Sequence, residues 1–362
     1  MAKKSFFFLG LCSALVLLVA GTRQPAAQEE RSHIFVNVVL VQLNVAVTDH
    51  KGNYITGLRP ENFVITEDKI PEKLASFEEG GEAGTRYVAA DQPDPSPTAN
   101  ASVRPAPGAA AADPAVARPP ISPLAGASVY ILFDTSDYMY RGFVFAQDAI
   151  AGFIHSMEEA NKIAFYSYSR DLSRATMLTA DRSMVLRGVR STVAGDEAAL
   201  YNSLLLTVRD AAPLHGRKAI VVFSNGPDNA SSVPPEDVAE LAQSTGTIIY
   251  IISTRQAQEE PVSSAVFERM SKATGGKAYF AKDWRDEKLA FGAIRDDLAH
   301  LYTLSYYPKP NQNRGWRAIN VKLVGKDMQK YHVRTRDGYR LMQQAAAATE
   351  APAVPNNVAD QR

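Results

Sequence analysis

In the stretch VYILFDTSDYMYRG, Val129 to Gly142, an apolar run leads straight into Asp134 and Ser136, an aspartate and a hydroxyl two residues apart. A second loop, SNGPDN from Ser224 to Asn229, follows another apolar run, KAIVVF, and carries Asn225 and Asp228. Asp137, Asp196 and Glu197 add carboxylates on the connecting segments. Hard oxygens on loops are the ligands that magnesium and calcium take, and magnesium asks for near-octahedral geometry with one or two carboxylates. The next position at the same spacing is Tyr138, whose phenol is a poor substitute for a small ligand. Asp134 has a second reading, as a carboxylate that caps the turn after its strand. The six histidines are scattered with no ligand spacing, and neither a nucleophile elbow nor a phosphate-cradling glycine loop occurs.

These loops need a scaffold. From Ala127 to about residue 300 the sequence alternates SVYILF, KIAFYSY, KAIVVF, TIIYII and KAYF with amphipathic stretches. In Phe143 to Met157 the side chains of Phe143, Ala146, Ile150, Phe153, Ile154 and Met157 share one face. PPEDVAELAQSTG has a proline start, acids in the first turn and a closing glycine. Strands apolar throughout, separated by helices, predict an α/β, doubly wound, mostly parallel Rossmann-like sheet over residues 127–300. In such a sheet ligands bind beyond the carboxyl ends of the strands, so the loops of Asp134 and Asn225 are expected to meet.

The flanks are β. Residues 33–79 read as a small β unit, with a half-buried strand over Phe35 to Thr48 that places Val39, Val41, Leu43, Val45 and Val47 on one face. Residues 301–342 read as three strands, LYTLSYYP, RAINVKLV and KYHVRTRDGYRL. Neither set can bury much alone, so the two are expected to form one β-sandwich-like domain with the α/β domain inserted between its sequence halves. Residues 80–126, rich in Ala, Pro, Gly and Asp, read as a disordered linker, and 343–362 as a disordered tail.

Lys3 and Lys4 before the uncharged apolar run Phe6 to Gly21 predict a cleavable signal peptide over residues 1–28; an uncleaved anchor is the alternative. The expected location is secreted or periplasmic, with no stable membrane insertion after cleavage. The one cysteine, Cys12, lies in that run, so no disulfide framework is expected. With 39 basic and 39 acidic residues the chain has no net field to draw nucleic acid.

Residues 128 to about 300 resemble a von Willebrand factor A-like domain, and the chain from 35 to 341 resembles a bacterial family of exported proteins that carry one. LFDTSDYM stands for the family's Asp-x-Ser-x-Ser loop, DEAALYNSL for its Thr-Ala-Leu-Tyr loop, and VVFSNGPDN for its strand ending in Ser-Asp-Gly. The resemblance implies a metal-ion-dependent adhesion site of five oxygen ligands, usually holding magnesium. Asp134 and Ser136 match it, while Tyr138, Ala198 and Asn225 replace a serine, a threonine and an aspartate. The expectation is therefore a degenerate site at Asp134, Ser136 and Asn225 with no resident cofactor; a divalent cation rebuilt on the neighbouring acids is the alternative. Function is expected to be non-enzymatic binding of a protein partner through Asp137, Tyr138, Tyr140, Asp196, Glu197 and Asp228. Competing readings are a metal-dependent surface enzyme and a structural envelope spacer.

Overall fold

The computed structural model describes residues 40–80, 127–157, 162–253 and 261–341. The expected signal peptide, the linker beyond Gly80 and the tail lie outside these residues. In chain order the first part contributes strands β1 (Val41–Thr48), β2 (Phe63–Glu67), β3 (Ile70–Glu72) and β4 (Leu74–Glu79). The central part runs β5 (Ser128–Asp134), α1 (Phe143–Ser156), β6 (Lys162–Tyr168), β7 (Leu172–Thr179), α2 (Arg182–Arg190), α3 (Leu200–Ala211) and β8 (Lys218–Ser224). It continues through α4 (Pro235–Thr245), β9 (Ile248–Ser253), α5 (Pro261–Ala273), β10 (Ala278–Phe280) and α6 (Trp284–Ala299). The last part is β11 (Tyr302–Tyr306), β12 (Trp316–Leu323), β13 (His332–Arg334) and β14 (Gly338–Arg340).

Among the described residues the central strands form one sheet in the order β10-β9-β8-β5-β6-β7, parallel except for β7 at the edge. The fold is the expected α/β one. Every residue of β5, β8 and β9 is buried, because helices cover both faces and strand side chains alternate between them. Val129, Ile131, Phe133, Val221 and Phe223 pack against α1, α2 and α6. Tyr130, Leu132, Ile220, Val222, Ile249 and Ile251 pack against α3, α4 and α5. Strand β7 went unread in the sequence, since LSRATMLT carries no sustained alternation and four of its eight residues are exposed at the sheet edge. Helix α4 ends as its sequence predicts, on Gly246 at φ +69°, a left-handed turn that glycine adopts without strain.

Helix α6 carries a carboxyl under stress. Burial, and then the nearby Asp283 charge, push the Glu287 carboxyl up to about 7. Folded Glu287 thus holds a proton that the unfolded chain releases above the ordinary carboxylate range, so its contribution to stability declines as pH rises toward 7. Glu287→Gln is expected to flatten that decline, with a melting temperature at pH 8 at or above the wild type's. A variant that melts lower than wild type at pH 8 but not at pH 5 would reverse the assignment.

The flanking strands form two antiparallel sheets, β13-β1-β11-β4 and β14-β12-β2-β3, which share one core made of Leu43, Val45, Phe63, Ile65, Phe77, Leu304, Ile319 and Tyr339 among others. Each sheet combines N- and C-terminal strands, alternating in the first and joined at the β12–β2 pair in the second, which is the expected sandwich. Two details differ from expectation. KYHVRTRDGYRL is not one strand: β13 pairs with β1 and β14 with β12, so the chain crosses between sheets at Thr335 to Asp337. Strand β1 is not half-buried either. Its second face also leaves water, with Asn44 and Ala46 buried and Ala46 packed in the α/β core, because the strand is sandwiched between the two lobes.

The lobes are joined by buried polar contacts. Asp297 of α6, wholly buried, accepts hydrogen bonds from the Tyr54 hydroxyl at 2.7 Å, the Tyr250 hydroxyl at 2.6 Å and Arg334 Nη2 of β13 at 2.6 Å. Arg336 donates to the Gln243 carbonyl of α4 and to the Gln42 carbonyl of β1 at 3.0 Å. Inside the sandwich, Glu67 accepts from Arg317 at 2.7 Å, Tyr306 at 2.7 Å and Tyr339 at 2.9 Å.

Candidate functional site: the loops above the parallel sheet

Strands β5 and β8 lie side by side and parallel, so their carboxyl ends deliver Asp134 and Ser224 to one point. Asp134 is fully buried there. One carboxylate oxygen accepts the Ser136 N–H at 2.9 Å, the turn-capping bond that its sequence position suggests. The other accepts the Ser224 hydroxyl at 2.7 Å, and Ser224 in turn accepts from the Tyr168 hydroxyl at 3.1 Å and the Gly226 N–H at 3.1 Å. Burial raises the Asp134 pKa, while hydrogen bonds from Ser136, Ser224 and Tyr168 work against that rise and keep it partial.

Asn225 is buried and its amide NH₂ donates to the main-chain carbonyl of Tyr138. That bond staples the loop after β8 to the loop after β5. The Tyr138 ring is 37% exposed, and the group that reaches Asn225 is the backbone carbonyl. The loop before α3 closes the third side. Gly195 N–H bonds to the Thr135 carbonyl at 2.7 Å, Asp137 N–H to the Asp196 carbonyl at 2.9 Å, and Ala198 N–H to Asn229 Oδ1 at 2.8 Å.

The acids named from sequence therefore separate. Asp137 and Asp196 are exposed at the rim. Glu197 forms an exposed ion pair with Arg170 at 3.3 Å, of the kind that contributes little to stability. Asp228 is engaged in holding structure: it accepts from Tyr201 N–H at 3.0 Å, Ser231 N–H at 2.9 Å and the Ser231 hydroxyl at 2.7 Å, capping the start of α3. Asn202 extends this latch by accepting from the Ser232 and Val233 N–H groups. Sequence reading missed the latch, although the dense Asp, Asn and Ser content of PDNASS is the signal for local side-chain to backbone bonding. It also missed Tyr168 and Ser224, the residues directly behind Asp134.

A divalent cation takes several oxygen acceptors turned toward one point. Here Asn225 donates its NH₂ to the Tyr138 carbonyl, Ala198 supplies no side-chain oxygen and both Asp134 oxygens accept hydrogen bonds, while the buried Ser136 hydroxyl oxygen has no hydrogen-bond partner among the described residues. Among the described residues no three His, Cys, Asp or Glu side chains are grouped to hold a metal ion. What the site presents outward is aromatic, with Tyr140 74% exposed beside Tyr138.

Residues 128–292 match the family model of the von Willebrand factor type A domain. No curated protein matches the chain. Among solved structures, the conserved hypothetical protein BatB from Bacteroides thetaiotaomicron is 17% identical over 48% of this chain and 98% of its own, with a TM-score of 0.41. The vWF domain of the type V pili tip protein Mfa5 from Porphyromonas gingivalis is 13% identical over 47% and 94%, with a TM-score of 0.39. Proximal thread matrix protein 1 from the mussel byssus, described with a zinc-occupied MIDAS motif, is 13% identical over 48% of each chain, with a TM-score of 0.40. The α/β part of this chain is a von Willebrand factor type A domain, carried by a β-sandwich built from the sequence on either side of it.

Proposed function

We propose that the protein is an exported, non-enzymatic interaction module that binds another protein through the top loops of its A domain by direct contact, without a shared metal ion. The observation that carries this reading is the Asn225–Tyr138 staple, which turns a hydrogen-bond donor into the position where an adhesion site would present acceptors. Tyr138 and Tyr140 supply aromatic area with polar tips beside it, a composition favoured at protein interfaces. A metal-assisted hydrolysis would need an open coordination position for an activated water; the Asn225 amide donating to the Tyr138 carbonyl and the engagement of Asp228 in capping α3 weigh against that reading. Export rests on the N-terminal charge and apolar pattern, and the described helices include none long and apolar enough to cross a membrane.

Two measurements test it. Calorimetric titration of magnesium, manganese and calcium into the purified protein is expected to show no saturable heat up to ~1 mM, the range of weak extracellular calcium sites; saturable binding abolished in Asp134→Asn would overturn metal independence. A photo-crosslinking amino acid in place of Tyr140, expressed in source cells, is expected to yield a discrete protein adduct whose amount does not change with EDTA. The absence of any adduct, with the folded protein present in the envelope, would favour the spacer reading.

A further inference from the structure

Beside the top face, α1 and α6 enclose a groove of about 1280 Å³ that the A-domain loops do not use. Phe153 and Phe291, with ring centroids 4.7 Å apart and planes tilted by 30°, form its buried floor. Its walls carry Phe145, Trp284 and Leu289, which are 64%, 56% and 71% exposed. Each helix also places a glycine in the lining, Gly152 and Gly292, and a Cβ on either would meet nothing within 4 Å. Glycine inside a helix is destabilising relative to alanine, and no neighbour among the described residues requires it at these positions. What the two glycines provide is bare backbone on which another helix can approach closely.

The charges on the two walls differ. The α1 wall carries Asp148, whose one ion-pair partner among the described residues is the exposed Arg190 at 2.7 Å. The α6 wall carries Arg285 and Lys288; Arg285 acts on the nearby Asp283 carboxylate and lies over the Trp284 ring at 5.0 Å, and Lys288 forms no ion pair among the described residues. Farther along, Arg295 and Asp296 pair with each other. Both helices start at the top of the sheet, so Asp148 and Lys288 lie at similar heights on either side of the Phe153–Phe291 contact. A two-fold axis along the groove would set the acidic wall of one copy against the basic wall of the other, twice over. That is the self-complementarity an isologous interface requires.

We propose that the protein associates with a second copy of itself through the α1–α6 groove, with Phe145, Trp284 and Leu289 as its apolar contacts and Asp148 facing Lys288 of the other copy. This surface is separate from the top loops, and the proposal holds or fails independently of what those loops bind. The face is ~24 Å long, from the 1.5 Å rise of a 16-residue helix, and ~20 Å across two helices. That is at the small end of specific interfaces, so the dissociation constant is expected on the order of 10 μM.

Sedimentation equilibrium on the purified protein from ~1 to ~200 μM brackets that constant. The average mass is expected to climb from one chain to two. Leu289→Asp, on an exposed side chain that leaves folding undisturbed, should hold the mass at one chain with an unchanged melting temperature. Lys288→Glu and Asp148→Lys should each weaken association about tenfold, as loss and repulsion of a close charge pair do, and the double variant should recover most of it. A single-chain mass throughout would leave the groove to a different partner and overturn the proposal. So would a dimer indifferent to Leu289→Asp, or a double variant no stronger than the singles.

Discussion

Asp297→Ala is expected to lower the unfolding free energy by about 3–5 kcal/mol, the cost of breaking a buried ion pair by removing one partner. The wild-type carboxylate is wholly buried and collects Arg334, Tyr54 and Tyr250. Without it the Arg334 guanidinium, mostly buried, faces two hydroxyls and the Lys277 ammonium with no counter-charge. Burial lowers the Arg334 pKa and the Asp297 charge outweighs it; without Asp297 the pKa falls, but a guanidinium stays protonated on its own, so the positive charge persists in the variant. Since Asp297 belongs to the A domain and Tyr54 and Arg334 to the sandwich, the loss falls on the junction between lobes. Urea unfolding at pH 7 is the measurement. Asp297→Leu combined with Arg334→Met should regain much of the loss, because a well-packed apolar pair replaces a buried ionic one at little cost. A loss under about 1 kcal/mol would mean that the junction is held elsewhere.

Glu67→Gln is expected to cost about 3 kcal/mol, through the sandwich alone. The Glu67 side chain is 1% exposed; one oxygen takes Arg317, and the other takes both Tyr306 and Tyr339. An amide has a single acceptor oxygen: with that oxygen toward the tyrosines its NH₂ meets the Arg317 donors, with it reversed both tyrosine hydroxyls lose their acceptor, and in either orientation Arg317 loses its counter-ion. Tyr306→Phe, which removes a single hydrogen bond, should cost nearer 1 kcal/mol. The comparison separates charge from hydrogen-bond count: equal losses in the two variants would show that the Arg317 charge is not held by Glu67. Both variants are read by urea unfolding, in which the slope against denaturant should stay unchanged.

Much of this architecture was legible before any coordinates. SVYILF, KAIVVF and TIIYII are apolar throughout because both faces of a parallel sheet are covered, so these runs identify central strands without ambiguity. PPEDVAELAQSTG defines its helix to within a residue because proline, acids and a terminal glycine act locally. The polar edge strand β7 and the break within KYHVRTRDGYRL were not legible, since neither carries a period of its own and both depend on which neighbour they pair with. Burial of Arg334 and Arg336 was equally hidden: two arginines in a strand read as solvated until their acceptors arrive from Asp297, Gln243 and Gln42.

The candidate site divides in the same way. Sequence by itself determined that Asp134 and Ser136 follow a buried strand, that Ala198 has no ligand oxygen, and that Asn225 has lost a carboxylate, because these are matters of residue type and order. Only the tertiary structure decided what became of them. It placed Ser224 and Tyr168 behind Asp134, turned the Asn225 amide onto the Tyr138 carbonyl, and engaged Asp228 in capping α3. Those contacts join residues 27 to 90 positions apart, and hydrogen-bond direction within them is set by packing rather than by neighbours in the chain.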